Sequence, residues 1–183
     1  MELYRLFGEI LRYPTPSLHN QVDECVSLLT YLDMDAVSLL NEFRAILQIT
    51  TLERMEEIYT RTFDLQAICH PYVGYHLFGN GSQRGMFMAG LIEHYNVCGF
   101  SAGNELPDHL GIMLRFASNS TTAERKELTS ECIAPAVKKM VSGFEDGSNP
   151  YREVLQALLL VLQREGADQV TPTVDSEGIL NGR

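Results

Sequence analysis

The stretch ELYRLFGEILR, residues 2–12, sets the reading of the whole chain. Its apolar residues Leu3, Leu6, Phe7, Ile10 and Leu11 recur at i, i+3 and i+4, one stripe of a helix rather than the alternation of a strand. The helix must stop at Tyr13-Pro14-Thr15-Pro16, because proline lacks the amide proton and fixes its own φ. The same period continues outward. Residues 17–32 carry Leu18, Val22, Cys25, Val26, Leu29 and Leu32, and 34–47 carry Val37, Leu40, Phe43 and Leu47. Thr50-x-x-Glu53 fits a capping box opening a helix over about 51–64, with Leu52, Met55, Tyr59 and Phe63 as its apolar stripe.

An irregular stretch over 65–83 follows, containing Cys69-His70-Pro71-Tyr72 and the glycines Gly74, Gly79 and Gly81. Loops longer than about 12–15 residues are uncommon in compact domains and are often functional. The period returns over 84–98 with Phe87, Leu91, His94, Tyr95 and Cys98, and Gly99 is the expected stop. Pro107 suits the first turn of a helix reaching about Ala117. Thr121-x-x-Glu124 is a second capping box, for a helix ending near Gly143, and Asn149-Pro150 opens a last one to about Glu165. No strand pattern or internal repeat is present. The expectation is an all-α, single-domain bundle of about eight helices with one long central loop, spanning 1–166, and a flexible polar tail over 167–183.

Bulk properties narrow the function. At 183 residues, 45% hydrophobic and 21% charged, the chain can bury a core without metal or disulfide staples. Twenty-four acidic against 14 basic side chains give a net charge of -10. That balance argues against a nucleic-acid partner, which needs Lys and Arg against phosphate, and is compatible with a basic peptide. The first residues lack a basic n-region and a long apolar core, so no secretory signal is expected. No apolar run approaches the roughly 18 residues of a membrane span, so no membrane insertion is expected. The four cysteines (Cys25, Cys69, Cys98, Cys132) form no CxxC pair, consistent with reduced thiols in a cytoplasm.

Catalytic and metal motifs come up empty. Cys69-His70 with His76 lacks a second pair at zinc spacing, and Glu93-His94 lacks a histidine partner one turn on. There is no G-x-S-x-G elbow, and Gly79-Asn80-Gly81 lacks the lysine of a phosphate loop. No catalytic residue, metal or cofactor is therefore expected. Glu105-Leu106-Pro107-Asp108-His109-Leu110 stands out. Read structurally, it is a loop entering a helix, with Asp108 at the positive end of the dipole. Read functionally, Glu105, Asp108 and His109 form a polar clamp for arginine or the amides of a peptide. Spacing alone leaves both open.

Three stretches together carry a family resemblance: Tyr59-Thr60-Arg61-Thr62-Phe63-Asp64; Gln83-Arg84-Gly85-Met86-Phe87-Met88 with Leu91, Tyr95 and Gly99; and Glu105-Leu106-Pro107-Asp108-His109-Leu110. In this order they resemble the nitrate reductase delta-subunit chaperones, within the wider family of molybdoenzyme-specific chaperones. The resemblance implies an all-α protein without catalytic activity or cofactor. Such a protein binds the N-terminal peptide of a molybdoenzyme catalytic subunit in the cytoplasm while molybdenum cofactor is inserted. Carried onto this chain, Asp108 and His109 are the first candidates for peptide contact, then Glu105 and Tyr59. Arg84 and Gly85 would shape the loop and helix start, with Arg84 paired to an acid. Phe63, Asp64, Tyr95, Leu106 and Pro107 would be structural. Tyr59, Tyr75, Met86 and Met88 are candidates for an adaptable wall against an amphipathic client helix. Residues 69–78 depart from the acidic LFEH stretch of better-known members, which leaves the client open between nitrate reductase and a related molybdenum or tungsten oxidoreductase. A permanent accessory subunit and a small metal-binding helical protein are the competing readings. A monomer and a domain-swapped homodimer are both compatible with a bundle of this kind.

Overall fold

A computed structural model describes residues 1–65, 69–144 and 149–167. The chain order is α1 (Glu2–Ile10), α2 (Leu18–Leu29), α3 (Met34–Ile49), α4 (Leu52–Phe63), α5 (Val73–Phe78), α6 (Ser82–Val97), α7 (Leu110–Asn119), α8 (Thr122–Leu128), α9 (Ala134–Ser142) and α10 (Tyr151–Ala167). A π turn over Thr129–Ile133 joins α8 to α9 in one continuous helix. Among the described residues there is no strand, and the all-α expectation is borne out. The expected tail falls almost wholly on 168–183, outside the described residues.

Several helix starts carry side-chain caps. Asp33 accepts the Ala36 amide of α3 at 3.0 Å, and Asn149 Oδ1 accepts the Tyr151 amide at 3.0 Å. Thr121 and Glu124 form a complete capping box at α8. At α4 the expected start is off by one: Thr51, not Thr50, accepts from the Arg54 amide, which puts arginine at the third helical position, so the expected capping box is absent. Gly99 takes a φ of 65° immediately after the C-cap of α6, a conformation that strains any residue with a Cβ.

Two further expectations are corrected. The stretch 65–83 holds a short helix, α5, and Ser82 opens α6. The helix placed at Pro107 starts three residues later, at Leu110, because 71–73 engages the backbone of 108–110. The π turn also has a local cause. Pro135 in an uninterrupted α-helix would clash with the carbonyl of Glu131, and widening the coil over 129–133 relieves it.

The core forms where the stripes meet. α1 packs on α2 and α7, and α10 on α3 and α9. Tyr4, Leu6, Phe7 and Ile10 of α1 are fully buried. Each such side chain stabilises the fold by roughly 1.5–3 kcal/mol before the entropy of ordering is counted. The α1–α7 contact is close enough to require glycine on both sides: a Cβ at Gly8 would sit 3.0 Å from the Gly111 carbonyl, and one at Gly111 2.9 Å from the Gly8 carbonyl. A second cluster joins four rings, with Tyr151 lying 5.4 Å from Phe43, 5.7 Å from Tyr59 and 5.2 Å from Phe63 between centroids. α6 is the exception to the packing. It buries only Leu91 and Tyr95, while Met86 is 68% and Val97 80% exposed. The expected stripe residues His94 and Cys98 lie at the surface.

Candidate functional site

The loop before α7 is held by a single antiparallel bridge between Tyr72 and His109. The Val73 amide donates to the Asp108 carbonyl and the Leu110 amide to the Pro71 carbonyl, both at 2.8 Å. This pairing carries the Leu106–Leu110 segment across the start of α5. Tyr95 of α6 supports it from beneath, its hydroxyl donating to the Pro107 carbonyl at 2.9 Å.

Asp108 faces inward. It is 0% exposed, and Arg84 donates to it twice, Nε to Oδ2 at 2.7 Å and Nη2 to Oδ1 at 3.2 Å. The guanidinium also lies 5.0 Å above the Tyr72 ring. Gly74 is obligatory beneath this pair, because a Cβ there would meet Asp108 Oδ2 at 2.7 Å and Phe87 at 2.9 Å. This geometry argues against the expected peptide contact by Asp108. Its carboxylate is engaged by Arg84 and presents no free oxygen at the surface. The pairing of Arg84 with an acid is found as expected.

The other three contact candidates come together. Tyr59, Glu105 and His109 line one cleft of about 510 Å³, with Asp64, Tyr72 and Tyr13. Tyr59 is almost buried, donating weakly to the Leu11 carbonyl at 3.4 Å and packing 4.9 Å from Phe63, and burial pushes its hydroxyl pKa up. His109 caps α7: its Nδ1 accepts the Gly111 amide at 3.1 Å. Burial holds its pKa below the ordinary 6.5, against the pull of Glu105 and Asp108. Glu105 is exposed and accepts only the Leu106 amide, at 2.9 Å. Asp64, the C-cap of α4, is exposed on the opposite wall. Among the described residues neither Glu105 nor Asp64 has an ion-pair partner. Arg12 and Arg115 also line the cleft, both paired with Glu9, so it carries both signs. Its two carboxylates without an ion-pair partner are the groups left to accept from a cationic ligand that brings hydrogen-bond donors.

The remaining motif residues divide. Phe63, Tyr95 and Pro107 are buried, whereas Asp64 is exposed. Leu106 is 43% exposed, and a Cβ at Gly85 would meet open space, so neither is held by packing. The expected Met and tyrosine wall is split. Met86 belongs to a separate apolar groove of about 410 Å³ with Phe87, Leu91 and Phe116, edged by Glu124, Glu127 and Glu131. Tyr75 packs on His70, with ring centroids 4.3 Å apart. Asp64 and Tyr72 were not among the contact candidates. Their only signal was position, Asp64 one residue past the helix that presents Tyr59, and Tyr72 inside the loop that the bridge folds onto His109.

With this geometry in place, residues 27–169 match the family model described as nitrate reductase delta subunit. The chain belongs to the nitrate reductase delta subunit family. The match covers both the Tyr59–Asp64 and the Glu105–Leu110 stretches that line the cleft. Within nitrate reductase delta subunit relatives, the chain is similar to the nitrate reductase molybdenum cofactor assembly chaperone NarJ of Bacillus subtilis, at 30% identity over 115 residues. That alignment spans 62% of this chain and 62% of the relative. The fold is also that of a solved structure, a protein described as a redox enzyme maturation protein from Archaeoglobus fulgidus. The superposition has a TM-score of 0.62 at 21% identity and covers 87% of this chain and 91% of that one. Both relatives carry names of assembly or maturation proteins rather than of catalysts.

Proposed function

We propose that the chain is an assembly chaperone for a molybdenum-containing nitrate reductase or a related oxidoreductase. It binds the N-terminal segment of the catalytic subunit in the cytoplasm while molybdenum cofactor is inserted. The observation that carries this reading is the cleft between α4 and the loop before α7, where, among the described residues, Asp64 and Glu105 make no ion pair and stand beside Tyr59, Tyr72 and His109. Such a wall receives an arginine or a peptide amide through charge-assisted hydrogen bonds, while the tyrosines cover its aliphatic stem. Family membership supports the role, and so do the names of the relatives. The net charge of -10 favours the approach of a basic segment. Among the described residues no helix is long and apolar enough to cross a membrane, which fits a chaperone acting before its client is docked or exported.

The test is calorimetric titration of the full chain with synthetic N-terminal peptides of molybdoenzyme catalytic subunits, beside scrambled controls. One peptide should bind with micromolar or tighter affinity that weakens with salt. Glu105→Gln should weaken that binding about tenfold, the loss of one charge-assisted contact. Binding of no peptide by the folded chain would overturn the reading. Stoichiometric retention of the chain in the mature oxidoreductase complex would point instead to an accessory subunit.

A further inference from the structure

The sequence shows no pair of ligands at zinc spacing, yet folding assembles a set from two helices. His94 lies in the last turn of α6, and Cys98 is its C-cap, one turn further on. Glu124 lies in the first turn of α8. The ligating atoms of these three residues all fall within 4.8 Å of one another. Tetrahedral zinc, with bonds near 2.0–2.3 Å, holds its ligand atoms roughly 3.3–3.8 Å apart, so turning two surface side chains inward closes the site.

We propose that His94, Cys98 and Glu124 form a site for a divalent transition metal of the zinc class, with the fourth position open to water or to an incoming ligand. Imidazole, thiolate and carboxylate together suit Zn²⁺ or Co²⁺ and disfavour Mg²⁺ and Ca²⁺, which take oxygen donors almost alone. One thiolate and one carboxylate against a divalent ion leave the site close to neutral. The carboxyl end of α6 contributes favourable dipole charge. Two of the three ligands have partners outside the metal. Glu124 Oε2 accepts from the Thr121 amide at 3.0 Å and from the Thr121 hydroxyl at 2.7 Å. The His94 ring packs edge-on to Phe116, 5.2 Å between centroids. Outer contacts of this kind fix ligand geometry in known metal sites. Binding replaces the S–H bond of Cys98 with a metal–sulfur bond and releases one proton to solvent.

The site has a structural consequence. α6 buries only two side chains, and the metal would tie its exposed end to the start of α8, beside the apolar groove that His94 and Glu124 both edge.

The experiment is titration of the metal-free full chain with Co²⁺ alone, followed by Zn²⁺ competition. One equivalent of Co²⁺ should bind with a thiolate-to-metal absorption band, Zn²⁺ should displace it, and either ion should raise the melting temperature. Cys98→Ser should abolish the band and lower affinity well beyond tenfold. Thr121→Ala should keep the band but lower affinity about tenfold, the usual effect of removing an outer partner. Cys132→Ser should change nothing, because Cys132 lines the same groove but is not one of the three ligands. Absence of stoichiometric Co²⁺ binding would overturn the proposal. So would a band that survives Cys98→Ser or disappears with Cys132→Ser.

Discussion

Asp108 and His109 are neighbours with opposite assignments. The carboxylate of Asp108 is spent on Arg84, and its removal leaves a guanidinium that is 12% exposed without its partner. Asp108→Ala should destabilise the fold by about 2–3 kcal/mol, below the usual cost of breaking a fully buried pair because Arg84 keeps some water. Urea midpoints should show this loss, while the folded fraction binds peptide as the parent does. A large loss of affinity at full folding would return Asp108 to the cleft. His109 couples the site to pH. Its folded-state pKa is lowered, chiefly by burial, so the unfolded chain takes up its proton first. The stability it contributes is full above about pH 6.5 and declines as pH falls through that value towards the lower folded pKa. His76, also lowered by burial, acts in the same direction. His109→Asn keeps an acceptor for the Gly111 amide and removes the titration. Its urea midpoint should therefore fall less between pH 7.5 and 5.5 than the parent's, as equilibrium denaturation at a series of pH values would show.

At the scale of helices, periodicity and caps made most elements legible, and the exceptions share a cause. The starts of α3, α8 and α10 follow local caps, but the start of α7 depends on Tyr72, 37 positions before His109, pairing with it across the chain. No local signal at Pro107 carries that information, and none in 69–78 announces α5. The π turn escapes a reading of 121–143 as one regular helix, although Pro135 lies inside that pattern. Within the cleft, Tyr59, Glu105 and His109 were legible from their motifs. The inward turn of Asp108 was not, because a carboxylate reads alike in sequence whether it faces solvent or an arginine 24 residues away. The same limit applies to Gly8 and Gly111. Nothing local marks them as the point where α1 and α7 touch backbone to backbone. Gly8→Ala should cost about 1–3 kcal/mol, since the obstructing atom is a helix carbonyl rather than a side chain that can rotate away. Its melting temperature, set beside that of Gly90→Ala on the open face of α6, separates this effect from simple helix propensity, which would favour alanine at both places.

Across the whole molecule, the packed helices α1, α2, α3, α7 and α10 form the body, and α5 and α6 form an excursion laid against it. The two ends of that excursion meet at the Tyr72–His109 bridge. An excursion that starts and finishes at one point can lift away without tearing the rest of the chain. Native-state hydrogen exchange should report this directly. Amides along the exposed length of α6 should exchange through a low-energy opening, with those of α1 and α10 waiting for global unfolding. Val73 and Leu110, which donate across the bridge, should lie between the two. Uniform protection from α6 through α10 would mean that the excursion is part of the same cooperative unit. On this expectation the bridge is a clasp: the strength of the Tyr72–His109 pairing would set the free energy at which α5 and α6 swing away while the body stays folded.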